Sequence, residues 1–341
     1  MRPAAWPRER AAARLLHIDP RARTLVDRNV ADLPALLTSG DVIVFNDAAT
    51  LPASFSVSTP RGPAELRLAG PGASSAEWSA VLFGAGDWRR RTEDRAAPAS
   101  VATGDEIAFE GGLRAHVERV SSLSPRLVEL RFDRAGAALW PMLYRAGRPI
   151  QYSHLVGPLS LWHVQTPFGA RPWAVEMPSA GAGLGPASFA ALRARGVAVT
   201  SITHAAGLSA TGDAVLDAAL PLPERYAIGA PAVALIEHAR ARRGRIVAVG
   251  TSVVRALEGA LEEGGGMLRA GEGITDLRLG PNTPRRIVDG LLTGIHEPGG
   301  SHYELQRAFA PDTLLAEAHA RADALGYLGH EFGDRALVLA A

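Results

Sequence analysis

The run Gly244-Arg245-Ile246-Val247-Ala248-Val249-Gly250-Thr251-Ser252-Val253-Val254-Arg255-Ala256-Leu257-Glu258 constrains the fold more than any other part of the chain. Ile246 to Val249 is short, uncharged and rich in β-branched residues, the pattern of a strand covered on both faces. The pattern breaks at Gly-Thr-Ser and resumes with helical spacing. A buried strand, a tight turn and a helix in that order make the repeating unit of an α/β sheet. Gly250 lets the backbone turn, and Thr251 or Ser252 is suited to cap the helix. N–H groups at such a helix start face the crevice beyond the carboxyl end of the strand, where α/β proteins bind ligands. Arg255 and Glu258, three residues apart, share a helix face, so each can reach that crevice or pair with the other.

A second apolar strand, Asp41-Val42-Ile43-Val44-Phe45, ends in the polar exit Asn46-Asp47. From about Ser56 to Phe132 the texture changes. Alternating runs such as Ala64–Leu68, Trp78–Leu82, Glu106–Phe109, Ala115–Glu118 and Leu127–Phe132 are separated by Gly, Pro and Ser turns, as in a small antiparallel barrel or sandwich. Helical segments return after Tyr144, at Ala187–Arg195 and Pro231–Arg243, each followed by a β-branched run. The expected organisation is therefore an α/β core, residues 1–55 and 136–341, interrupted by an all-β insertion at residues 56–135. With 341 residues and 47% hydrophobic content the chain is long enough to bury such a core.

Composition removes several chemistries. The chain has no Cys, and all 36 of its basic residues other than His are Arg. Without Lys there is no Schiff base and no P-loop lysine. Without Cys there is no thiolate nucleophile, cysteine-bound zinc or cysteine-held iron–sulfur cluster. The ten histidines show no metal-ligand spacing, and His296 with His302 is not a standard pair, so no metal is expected. No Gly-x-Ser-x-Gly elbow follows a strand, and Glu262-Glu263 read as a solubilising loop pair. Gly181-Ala182-Gly183-Leu184-Gly185 imitates a dinucleotide fingerprint, but its third glycine is one position early and His204 stands where an acidic ribose ligand belongs. The net charge of +1 gives no global attraction to a polyanion. Local clusters at Arg89–Arg95 and Arg240–Arg245 are candidates for RNA contact. No apolar run reaches the roughly 20 residues of a membrane span, and Glu9, Asp19 and Asp27 interrupt the Arg-rich start, so a cytoplasmic location without membrane attachment is expected.

A second informative segment, Arg286-Ile287-Val288-Asp289-Gly290-Leu291-Leu292-Thr293-Gly294-Ile295-His296-Glu297-Pro298, runs from an apolar stretch into a polar trio. Together with the Gly250 run it resembles the S-adenosylmethionine:tRNA ribosyltransferase-isomerase family of queuosine biosynthesis. The resemblance runs nearly end to end. Pro7-Arg8-Glu9-Arg10 with Arg14-Leu15-Leu16 is similar to the family's opening, and Gly40-Asp41 through Asn46-Asp47 to its first strand and exit. Val164-Gln165-Thr166 is similar to its Tyr-Gln-Thr, Pro178-Ser179-Ala180-Gly181 to its Pro-Thr-Ala-Gly, and Gly250-Thr251-Ser252 through Arg255 to its Gly-Thr-Thr-Ser-Val-Arg. Val288-Asp289 through Thr293, with His296 and Pro298, resembles its Val-Asp-Ala-Leu-Leu-Thr-Asn-Phe-His-Leu-Pro.

The resemblance implies an α/β core with an inserted β-barrel. It also implies a reaction in which S-adenosylmethionine, as co-substrate, donates its ribosyl group to the aminomethyl group of a 7-deazaguanine in tRNA. Epoxyqueuosine, adenine and methionine result. Such chemistry needs a base for a C5′ proton acidified by the sulfonium, a donor to the departing adenine, and precise orientation of two substrates. At matching motifs the catalytic candidates are Asp47, Glu258, Asp289 and His296. Candidates for holding S-adenosylmethionine are Pro178, Ser179, Ala180, Gly181, Gly250, Thr251, Ser252 and Arg255.

Departures from the family pattern fall on the acceptor side. Leu-His-Phe after Pro-Thr-Ala-Gly is Ala182-Gly183-Leu184 here, and the histidine of Leu-His-Val-Gly falls at Ala205, next to His204. A one-residue shift on a strand turns a side chain to the other face. Asn-Asp-Thr-Arg is Asn46-Asp47-Ala48-Ala49, the following Ala-Arg is Ala53-Ser54, and Gly-Thr-Phe-Arg-Pro is replaced by Ser209–Asp213. The loss of these arginines weakens the expected grip on a tRNA anticodon stem-loop. An enzyme using S-adenosylmethionine on a free nucleobase or another small-molecule acceptor, and a non-catalytic RNA-binding relative, are the competing expectations.

Overall fold

The computed structural model describes residues 1–9 and 13–340; Arg10 of the opening motif lies outside them. In chain order, β1 (Arg14–Asp19), β2 (Thr24–Asn29) and β3 (Val42–Asn46) begin a large sheet. Strands β4 (Ser54–Thr59), β5 (Gly62–Pro71), β6 (Glu77–Gly84), β7 (Glu106–Phe109), β8 (Arg114–Val120) and β9 (Leu127–Phe132) form a separate structure. Strands β10 (Ala198–His204), β11 (Glu224–Ile228), β12 (Ile246–Val249), β13 (Gly271–Thr275), β14 (Gly290–Gly294) and β15 (Arg335–Val338) return to the large sheet. Helices α1 (Pro186–Ala194), α2 (Ala230–Ala241), α3 (Thr251–Glu263), α4 (Ser301–Gln306) and α5 (Asp312–Ala324) accompany them.

The large sheet has nine strands in the order β13-β11-β10-β3-β12-β14-β15-β1-β2, with β10, β3, β12 and β14 parallel at its centre. Strand alternation divides the apolar residues of β3 and β12 between two cores. Val42, Val44, Ile246 and Ala248 join one that includes α2, α3 and α5; Ile43, Phe45, Val247 and Val249 join another with Leu184 and Leu192. Both faces are covered, which is why these strands carry no charge. Gly290 on β14 allows a close approach, since a Cβ there would lie 2.5 Å from the Leu339 side chain.

The texture change near Ser56 corresponds to a closed antiparallel barrel, ordered β8-β9-β6-β5-β4-β7. Alternation alone left a barrel and a sandwich open and the resemblance implied the barrel; the closed barrel bears this out and removes the sheet edges. Its interior holds Leu66, Leu82, Ile107, Phe109, Val117, Val128 and Leu130, the inward members of each alternating run. Among the described residues no helix is long and apolar enough to cross a membrane.

Several local expectations change. Gly250, with φ of 98°, occupies the N-cap position itself, so Thr251 and Ser252 are the first helical residues and no side chain caps α3. Arg255 and Glu258 do not pair with each other, because α3 is buried from Thr251 to Leu261 and each finds a different partner off the helix. Glu262 and Glu263 lie in the last turn of α3, not in a loop, and Glu263 accepts a hydrogen bond from the Tyr226 hydroxyl at 2.6 Å.

Candidate functional site

A cleft of about 730 Å³ opens at the carboxyl ends of β12 and β14 and extends to the barrel. Its size is that of a small-molecule site, and its place is where parallel sheets offer ligand crevices. The start of α3 forms one end. The 178–180 turn lies over it, with the Ala180 Cβ 3.4 Å from where a Gly250 Cβ would stand. At that positive φ any side chain would be strained. Pro178, Ser179, Ala180, Gly250, Thr251, Ser252, Arg255 and His296 all line this one cleft. Gly181 is buried behind it against the Phe168 ring.

Arg255 projects from α3 to Glu224 on β11, its Nε donating to Oε2 at 3.0 Å. Glu224 also accepts from the Gly207 N–H at 2.8 Å, and the His204 Nε2 lies 3.4 Å away. Burial opposes ionisation of Glu224, but Arg255, His204 and the Gly207 N–H outweigh it and hold the carboxyl below its usual range. For His204 burial dominates and pulls its pKa down to about 4, with Glu224 opposing. Thus the cleft carries a charge-balanced Arg–Glu pair beside a neutral imidazole.

His296, just beyond β14, contacts the Thr293 hydroxyl at 3.0 Å and stacks on His302 of α4, with centroids 4.7 Å apart and planes inclined by 14°. Burial, then His302, Arg335 and His330, push His296 well below the ordinary histidine range; burial and Arg255 bring His302 to about 4. Both imidazoles are neutral at physiological pH, so His296 is able to accept a proton.

Further lining of the cleft comes from residues that sequence reasoning missed. Glu176 accepts from the Tyr152 hydroxyl at 2.5 Å and from the Ser209 hydroxyl at 2.6 Å. Burial raises its pKa, and these hydrogen bonds oppose the rise. Arg67, from barrel strand β5, lies with its guanidinium 5.6 Å from the Tyr152 ring centre and is held by Glu65 at 2.7 Å, yet its buried Nη1 has no partner. One signal was available: Glu65 and Arg67 are charges two apart in an otherwise apolar strand run, hence on the same face. Tyr152, Glu176 and Glu224 offered none, since their meeting depends on the tertiary fold.

Three expected catalytic residues do not line the cleft. Asp47 accepts from the Ser201 and Thr203 hydroxyls at 2.7 and 2.6 Å, tying the exit of β3 to β10. Glu258 accepts from three consecutive backbone N–H groups, Arg286, Ile287 and Val288, at 2.9 to 3.1 Å. Asp289, which precedes β14 and is not helical, accepts from the Ile246 N–H at 2.8 Å and anchors the start of β12. In each case backbone or hydroxyl donors occupy the carboxylate. The arginine clusters are also partly spent: Arg95 is buried on Glu65, Arg89 and Arg91 pair with Asp87 and Glu93, and Arg245 pairs with Asp41. Arg90 and Arg91 reach the cleft rim.

A sequence profile described as "Queuosine biosynthesis protein" matches residues 2–338. Proteins named S-adenosylmethionine:tRNA ribosyltransferase-isomerase are similar over the whole length. That of Parvibaculum lavamentivorans is 33% identical over 100% of this chain and 95% of its own, and that of Acidiphilium cryptum 34% over 98% and 95%. That of Anaeromyxobacter dehalogenans is 35% identical over 97% and 93%. In fold the chain is similar to the crystal structure of an S-adenosylmethionine tRNA ribosyltransferase from Thermotoga maritima. The TM-score is 0.52 and the identity 21%, covering 99% of this chain and 96% of that one.

Proposed function

This chain belongs to the queuosine biosynthesis protein family, and on that footing we propose that it is a S-adenosylmethionine:tRNA ribosyltransferase-isomerase. It transfers and isomerises the ribosyl group of S-adenosylmethionine onto a 7-aminomethyl-7-deazaguanine in the tRNA anticodon, releasing adenine and methionine. The observation that carries the reading is the convergence of Pro178–Ala180, Gly250–Ser252, Arg255 and His296, scattered over more than a hundred residues, on one cleft. A cytoplasmic location follows from a tRNA substrate.

In this reading S-adenosylmethionine supplies the sugar and the activating sulfonium. The start of α3, which no side chain caps, presents N–H groups to the carboxylate end of that substrate. Arg255, neutralised by Glu224, orients rather than clamps. His296, a neutral imidazole, accepts the C5′ proton. Glu176, which accepts from the Tyr152 and Ser209 hydroxyls, lines the cleft as a polar positioning group. Asp47, Glu258 and Asp289 hold strands together. We assign the barrel, residues 56–135, as an inserted unit that brings Arg67 and the 90–93 segment to a core formed by residues 1–55 and 136–341.

A second reading has one observation in its favour. Because Arg89, Arg91 and Arg95 are already paired with acids, the rim attracts phosphate weakly, which suits a free nucleobase acceptor. Adenine release from S-adenosylmethionine, followed by chromatography, separates the readings. Release with an anticodon stem-loop bearing the aminomethyl-deazaguanine, and not with the free base, supports the tRNA reaction. Release with the free base alone supports the small-molecule acceptor, and RNA binding without release from folded protein supports a non-catalytic relative.

A further inference from the structure

We propose that His154, His330 and Glu331 form a binding site for a divalent transition-metal ion, best matched by Zn2+, on the wall of the cleft. The proposal concerns a site separate from the residues assigned to the reaction and does not depend on that assignment. One ligand atom from each residue lies within 4.8 Å of the other two. The His154 Nε2 stands 3.3 Å from the Glu331 Oε2. A tetrahedral site with bonds of about 2.0–2.1 Å to nitrogen and oxygen has edges of about 3.3–3.4 Å, so this pair already has the spacing a zinc ion imposes.

The contact is not an ordinary histidine–carboxylate hydrogen bond. His154 Nε2 is buried and has no hydrogen-bond partner despite its closeness to Glu331. A buried polar atom left so is destabilising, and an ion between the two groups would satisfy both. His330 adds a second oddity. Its φ of 65° lies in the left-handed region, which non-glycine residues seldom adopt, and the result is a ring centred 4.3 Å from that of His154.

The two segments are pinned from behind. Leu155 and Phe332, the chain neighbours of His154 and Glu331, are buried in one apolar cluster with Ala4, Leu159 and Val164. The turn after His330 is closed by the Gly333 N–H donating to its carbonyl at 3.0 Å. The ligand atoms therefore belong to loops fixed relative to each other although 176 residues separate His154 from His330. All three side chains line the cleft. Two imidazoles and one carboxylate fill three positions of a zinc ion and leave the fourth to water or to an oxygen or nitrogen donor of a cleft ligand.

The test is calorimetric titration of tag-free, metal-stripped full-length protein with ZnCl2 and, separately, MgCl2. We expect one Zn2+ per chain and no Mg2+ binding at the same concentrations, because Mg2+ prefers oxygen ligands. Loss of an outer-shell partner alone costs about 10–100-fold in metal affinity, so H330A and H154A should each weaken Zn2+ by at least about 100-fold. His330 is exposed, so H330A removes no buried contact, and because alanine is strained at its φ of 65° circular dichroism checks the folding of both variants. Cobalt substitution gives a second readout, with the intense visible bands of a four-coordinate ion present in wild type and absent in H330A. Zinc binding of unchanged affinity in H330A/E331A, or no zinc binding by the folded wild-type chain, would overturn the proposal.

Discussion

Replacing Glu258 separates a structural from a catalytic carboxylate. Its Oε1 accepts from the Ile287 and Val288 N–H groups and its Oε2 from that of Arg286. Ile287 and Val288 are buried, while Arg286 is exposed. In E258A two N–H groups are stranded away from water at about 1–3 kcal/mol each, and the third is rehydrated cheaply. The expected loss is therefore about 4 kcal/mol. In E258Q the amide oxygen takes over the two buried donors and the amide nitrogen faces the solvated Arg286 N–H. That loss is about 1 kcal/mol. Urea unfolding measures both, and adenine release per folded molecule should stay within a few-fold of wild type in E258Q. An E258A protein within about 1 kcal/mol of wild type, or an E258Q protein of native stability whose release falls 100-fold, would refute the reasoning and return Glu258 to the catalytic list.

Three other outcomes are expected. Because His204 and His302 have folded pKa values of about 4 against an ordinary 6.5, they bind fewer protons folded than unfolded in that window. Stability is thus complete above pH 6.5 and falls as pH drops toward 4, by up to about 2.7 kcal/mol per pH unit for two protons; a flat urea midpoint from pH 7.5 to 5 would contradict this. H296N should lower the rate of adenine release by about 10²–10⁴-fold while S-adenosylmethionine still binds, as isothermal titration would report, and an unchanged rate would remove His296 as the base. G250A should cost about 1–2 kcal/mol in urea unfolding and weaken S-adenosylmethionine binding, because a side chain at φ of 98° is strained and shifts the start of α3; wild-type stability and affinity would show that this turn tolerates a Cβ.

Much of the site was legible where chemistry and local geometry coincide. The Gly250 turn and the Pro178 turn were marked by glycine, by flanking strand patterns and by family motifs, and they share the cleft. Asp47, Glu258 and Asp289 were marked in the same way, yet Asp47 accepts from two hydroxyls and Glu258 and Asp289 accept from backbone N–H groups, because a carboxylate is equally suited to binding a ligand and to accepting from neighbouring donors. A motif records that a residue is needed without recording which of these it does.

The amino-acid sequence alone determined the alternation and the uncharged runs, and with them the buried parallel centre, the all-β insertion and the turn that opens α3. These are properties of contiguous residues, set by side-chain period and backbone freedom. Tertiary structure decided that the insertion closes as a barrel and that Arg255 turns to Glu224 rather than Glu258. It also decided that Tyr152, Glu176 and Ser209 meet in the cleft that His296 lines, and that His154 faces Glu331. Each of those outcomes joins groups far apart in the chain, and burial together with neighbouring charges and hydrogen bonds then shifts their pKa values. Distances and desolvation between such groups arise only once the strands are in register, so no local pattern carries them.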